Sequence, residues 1–186
     1  MRFTRQVDEA ELLSLPKQNG SIVLVVGGEF WTDRNRVRRI PIARREKTFI
    51  IGPGAAEMAE KMLRQMFSRV ERVRHIDQVE DVEQFDFVIQ LVHHGFDDRT
   101  LFLPFFSNQR YRVDLGADVW RPNGPILWNV TARGSESFWM MNLAAANPFE
   151  KDERLLDRAG TVLNAAVQES LFELMDELEP LFDSGR

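Results

Sequence analysis

Residue types able to do acid, base or metal chemistry crowd together at one place in this chain, His93-His94-Gly95-Phe96-Asp97-Asp98. Imidazoles and carboxylates in one short run are a donor set for a divalent cation, so a metal-dependent hydrolase centred on His93, His94, Asp97 and Asp98 is a reading to weigh. The local pattern tells against it. Adjacent residues of a strand point to opposite faces, and His93 continues an apolar face while His94 goes the other way. One ion would have difficulty using both. Asp97 and Asp98 then read as turn acids, since paired carboxylates do catalytic work only where a cleft separates their pKa values.

Other catalytic signatures fail in the same way. Gly134-Ser135-Glu136-Ser137 is no Gly-x-Ser-x-Gly elbow. Gly52-Pro53-Gly54 opens a helix, but no Gly-Lys-Ser/Thr follows to hold a phosphate. The chain has no cysteine, which removes disulfides, thiolate zinc sites, iron–sulfur ligation and a cysteine nucleophile together. The expectation is a protein that is not an enzyme and needs no cofactor.

Two features point to binding. The segment from Arg34 to Lys47 carries Arg34, Arg36, Arg38, Arg39, Arg44 and Arg45 against one acid, Glu46. It can grip phosphates, anionic headgroups or an acidic protein face, or simply be a solvated edge strand or hairpin. Only Trp31 lies near enough to supply the interleaved aromatic of a nucleic-acid module, so that use of the arginines is the weaker alternative. The second feature is apolar: Leu101-Phe102-Leu103-Pro104-Phe105-Phe106, and Phe138-Trp139-Met140-Met141 with Asn147-Pro148-Phe149. Both read as loops. Connections are normally polar, so these either cap the core or meet a partner or bilayer, with Phe102, Phe105, Phe106, Trp139 and Met140 as the contacts.

The elements that must position these residues follow from periodicity. Residues 1–20 read as an N-terminal arm, and 21–183 as one domain. Ser21 to Phe30 begins with the continuous run Ile22-Val23-Leu24-Val25-Val26, a buried strand that Gly27-Gly28 breaks or bulges. From Gly52 the positions Ala55, Met58, Ala59, Met62, Leu63, Met66 and Phe67 form one helical stripe. A short strand over Val70 to Ile76 follows. Alternation then predicts strands over Phe85 to His93, Tyr111 to Val119 and Ile126 to Arg133, the last two joined as a hairpin through Arg121-Pro122-Asn123-Gly124-Pro125. A helix from Glu153 to Glu179 ends at Pro180, and residues 150–183 hold ten acids against three bases, so its outer face is acidic. The sum is an α+β two-layer sandwich, a mainly antiparallel sheet with two helices packed on one face.

At 186 residues, 44% of them hydrophobic, the chain is large enough for a single well-filled core. A net charge of -5 speaks against a surface that coats nucleic acid throughout. No apolar run approaches the roughly 20 residues of a spanning helix, and the opening residues lack the apolar stretch of a signal peptide.

The order of elements resembles that of small bacterial envelope domains: the lipopolysaccharide-transport lipoprotein LptE, the N-terminal domain of TolB and the periplasmic domain of CsgG. Its carriers are Phe49-Ile50-Ile51-Gly52-Pro53-Gly54-Ala55-Ala56 with the following helix, Phe85-Asp86-Phe87-Val88-Ile89-Gln90, the hairpin from Asp118 to Trp128, and the last helix. The resemblance implies a non-catalytic accessory or scaffold component of an outer-membrane-associated transport or assembly complex. Its partners would be an envelope protein, a second copy of itself or an anionic membrane surface. It also implies the periplasmic face of the outer membrane if an export signal precedes residue 1, and otherwise the cytoplasm. In that group a lipidated N-terminal cysteine tethers the domain; this sequence shows none.

Overall fold

The computed structural model describes residues 9–28, 30, 34–37, 47–102, 106–141 and 148–183. A short helix α1 (Glu9–Ser14) leads into β1 (Gln18–Val26); β2 (Arg34–Val37) and β3 (Lys47–Ile50) pair with each other; α2 (Gly52–Met66) precedes β4 (Phe67–Val73). Two single-turn 3-10 helices, Ile76–Gln78 and Val82–Gln84, precede β5 (Phe87–Phe102), β6 (Phe106–Trp120), β7 (Ile126–Met141) and α3 (Pro148–Asp183). The five-stranded sheet has the order β4-β1-β5-β6-β7. β1 runs parallel to both neighbours, whereas the much longer β5–β6–β7 meander is antiparallel. The expected α+β layering with a mainly antiparallel sheet is therefore the observed one.

β1 reads as an unbroken apolar run because it is buried on both faces, as central strands with parallel neighbours are. Ile22, Leu24 and Val26 join the main core with α2 and α3, while Val23 and Val25 form a second cluster with Phe85 and Val88, covered by Ile76, Val79 and Val82 of the connector. The strand ends at Val26, not at Phe30. On α2 the predicted stripe is the buried face. Phe67 leaves that stripe to start β4, whose extent is Phe67–Val73, not 70–76: the strand follows the helix directly because Phe67 is needed opposite Gln18 in the parallel register. Among β6 and β7, the Arg121–Gly124 turn has Pro122 second and Asn123 third at φ 59°, a left-handed position asparagine tolerates.

The last helix departs from expectation at both ends. It begins at Pro148, where the fixed proline φ suits a first turn, and it carries Pro180 inside. The interruption is tolerated because Phe182 is buried beyond it, edge-on to Phe67 at 4.8 Å and to Phe87 at 5.2 Å between centroids. That packing holds the final turn in place after the lost backbone hydrogen bond.

α3 comes unusually close to β7. The Ala166 carbonyl stands where a Cβ on Gly134 would be, the Ser170 hydroxyl donates to the Ala132 carbonyl at 3.1 Å, and the outward backbone N–H groups of Arg133 and Ser135 donate to Glu173 and Glu169 carboxylates at 2.6 Å each. β7 is the last strand of the sheet, so these carboxylates cap an edge that would otherwise invite strand addition.

Gly134→Ala has to push helix backbone aside, and overpacking of this kind costs about 1–3 kcal/mol or more. Urea unfolding is expected to show that loss; a change within about 0.5 kcal/mol, the usual surface value, contradicts the close approach.

Candidate functional site

Pairing between β1 and β5 stops at Val26–Leu91, yet β5, β6 and β7 are 16, 15 and 16 residues long. Three strands thus run on beyond the five-stranded region, with the Phe102–Ser107 and Phe106–Met141 pairs near their distal end. The segments read as apolar loops are largely strand: Leu101 and Phe102 end β5, Phe106 begins β6, and Phe138 to Met141 end β7. Phe105 lies outside the described residues, and for Phe102 and Met140 the backbone alone is described.

The inner face of this extension, on the α3 side, is closed. Phe96, Tyr111 and Phe138 stack across the strands with centroids 6.0 and 6.4 Å apart, and Ser107 and Gln109 are buried further out. Asp98 pairs with Tyr111 on this face. Burial, and then the neighbouring charge of Asp97, push the Asp98 carboxyl above its ordinary range; burial and Asp98 in turn raise the Tyr111 phenol.

The outer face is open. Leu101 and Trp139 both pair with Asn108, and Phe106 follows Asn108 by the same alternation, so the three side chains share one face while 57%, 55% and 41% exposed in the order Leu101, Trp139, Phe106. One row inward, Arg99 lies directly opposite Arg110. Arg99 donates to Asp97 at 2.8 Å, whereas Arg110 donates to the neutral Ser135 hydroxyl at 2.7 Å. The next rows hold a branched ion network: Arg112 donates to both Asp114 oxygens at 3.0 and 2.8 Å, and Arg133 donates to Asp114 at 2.9 Å. The hydrogen bonds from Arg112, against the opposing cost of burial and with further help from Arg133, hold the Asp114 carboxyl below its usual value; Asp114 in turn raises Arg112. Arginine exceeds carboxylate along this band.

The histidine–aspartate run is split by the same strands. A bulge between His93 and Gly95 leaves His94 as the extra residue, with its ring lying against Gly116 on the outer face, while His93 pairs with Leu115 on the inner face. Asp97 is outer and Asp98 inner. Among the described residues no three His, Asp or Glu side chains gather as a metal-binding group. Arg34 and Arg36 lie on β2, opposite Ile50 and Thr48 in the two-stranded β2–β3 ribbon, separate from the main sheet; Arg38 and Arg39 lie outside the described residues. The ribbon and the aromatic face thus belong to different sheets. Sequence reading missed Arg99, Arg110, Arg112 and Arg133 as a set, because the expected strands stop short of Arg99 and Arg110 and the register that aligns the four is not visible in the sequence.

A groove of about 960 Å³ runs between α3 and β7, lined by Arg133, Glu136, Glu169, Glu173 and Asp176 among others. Two of its acids are already spent on the β7 edge.

No protein-family model matches the chain, and no curated protein does. Among solved structures it is similar to the hypothetical protein CT253 from Chlamydia trachomatis, at 11% identity and a TM-score of 0.49, over 89% of this chain and 99% of that one. It is also similar to the rare lipoprotein B from Shewanella oneidensis, at 11% identity and a TM-score of 0.43, over 87% of this chain and 98% of that one. A lipoprotein is thus among the folds this chain is similar to, at a level that assigns it no family and no function.

Asp114 supplies a pH test. Its folded pKa is depressed, so its contribution is present above the unfolded value of about 3.9 and is lost as pH falls through the lower folded value. Asp114→Asn is expected to destabilise near neutrality, with the gap to the unsubstituted chain closing below about pH 4 in denaturant titrations. A gap that widens in acid contradicts the network.

Proposed function

We propose that this chain is a non-catalytic accessory or scaffold component of a bacterial cell-envelope transport or assembly complex, acting by adhesion at the periplasmic face of the outer membrane. The observation that carries the reading is the alignment of exposed Leu101, Phe106 and Trp139 on one face of a protruding, internally packed three-stranded extension. Large apolar side chains held outward by a rigid scaffold, beside a cationic band, fit a contact surface. An envelope protein or a second copy are the protein partners this reading admits, with Arg34 and Arg36 of the β2–β3 ribbon as a separate anion-seeking surface.

Catalysis by His93, His94, Asp97 and Asp98 would require side chains that this strand sends to two faces to converge. No helix among the described residues is long and apolar enough to cross a membrane, so attachment by a single helical span within them is not part of the proposal.

Fractionation of cells expressing the natural full-length reading frame tests the assignment. The product is expected in the envelope fraction and open to added protease once the outer membrane is permeabilised. Recovery in the cytosol, protected from protease until the inner membrane is lysed, overturns it.

A further inference from the structure

We propose that the outer face at the distal end of β5–β6–β7 docks on an anionic phospholipid bilayer, with Leu101, Phe106 and Trp139 entering the headgroup–acyl boundary and Arg99 and Arg110 meeting lipid phosphates. This rests on the adhesion reading above and names its partner.

The register supplies the geometry. The Leu101 and Trp139 positions lie two residues beyond the Arg99–Arg110 pair, which at about 3.3 Å per residue is a separation of roughly 7 Å. With the strands standing steeply on the membrane this offset becomes depth: interfacial apolar groups sink about 5–10 Å into the boundary, so when the distal apolar row is immersed the arginine row stands at phosphate level. The chemistry of each row matches that depth. Tryptophan is favoured at the membrane–water boundary, where its ring is apolar and its N–H stays wet.

The arginine pair points to an anion in particular. Like charges directly opposite on neighbouring strands destabilise a sheet, and among the described residues no carboxylate bridges these two: Asp97 is bonded to Arg99, and Arg110 meets a serine hydroxyl. Phosphate oxygens accept from guanidinium groups in a bidentate fashion and would remove the repulsion. Arg112 and Arg133 both donate to Asp114, and with Arg99 and Arg110 they outnumber Asp97 and Asp114, so this band keeps a positive excess. The chain as a whole is at -5, and its acids concentrate on α3, which covers the inner face. That separation turns the outer face toward a negative surface and the helix away from it. An apolar protein partner would match the apolar row but would leave the charge of the facing Arg99 and Arg110 without a counterpart.

The lack of cysteine allows single-site labels on the full chain. Asn108→Cys, between Leu101 and Trp139, and Asn129→Cys, on the same outer face near the Arg121–Gly124 turn, would each carry an environment-sensitive dye and be mixed with phosphatidylglycerol/phosphatidylethanolamine vesicles or with phosphatidylcholine vesicles. The expected result is sedimentation with the anionic vesicles only, weakening with salt, and a blue shift at position 108 but not at 129. Leu101→Ser with Phe106→Ser and Trp139→Ser is expected to weaken binding about tenfold or more at an unchanged melting temperature. Should that variant not fold, Arg99→Gln with Arg110→Gln serves instead and is expected to abolish the preference for anionic vesicles. No binding to anionic vesicles, or binding indifferent to these substitutions, overturns the proposal. Such a failure leaves the fractionation result standing, so the loss of the lipid partner is distinguishable from the loss of the envelope assignment.

Discussion

The seating of α3 on β7 at Gly134 is the constraint on which the remaining architecture rests. A residue with no side chain lets the helix backbone approach until Ala166 fills the Cβ position, and only at that distance can Glu169 and Glu173 reach the outward N–H groups of β7. Two things follow at once. The inner face of the meander is closed over Tyr111, Val113 and Leu115, and two outward N–H groups in the middle of the edge strand β7 are capped by carboxylates. What stays open is the outer face, where the strands outrun β1 and present arginine and then aromatic rows.

The acids of α3 thereby have a structural reason to exist. A helix face rich in carboxylate reads from sequence as solvated surface, and part of it is, but Glu169 and Glu173 act as hydrogen-bond acceptors for a sheet. Positive charge, by contrast, gathers on the outer face around Asp114, whose single carboxylate is shared by Arg112 and Arg133. The molecule is polarised by which side of the sheet each charge occupies, and its modest net charge conceals this.

Much of the fold was legible from periodicity. The helical stripe from Ala55 to Met66, the buried run of β1 and the proline–asparagine turn at Pro122 and Asn123 are local signals that tertiary structure left unchanged. The distal strands were not legible, for a specific reason. The bulge at His94 shifts the inward parity of β5 from odd to even positions, so that Phe96 and Asp98 face inward where alternation from Phe87, Ile89 and Leu91 would place odd residues. On β6 the inward residues at the end are Ser107 and Gln109, polar side chains that invert the expected pattern. The apolar stretches beside them then resemble loops, and the arginine rows lose their shared face. Pro180 misled in the opposite way, since Phe182 holds the helix past it.

The account's central claim is that this chain works through the outer face at the far end of β5–β6–β7. Hydrogen exchange of the whole chain, alone and with outer-membrane vesicles turned periplasmic face outward, measures this directly. The claim predicts new protection concentrated in residues 97–101, 106–112 and 133–139. Protection appearing instead in the β2–β3 ribbon or along the α3–β7 groove, with the distal strands unchanged, contradicts it.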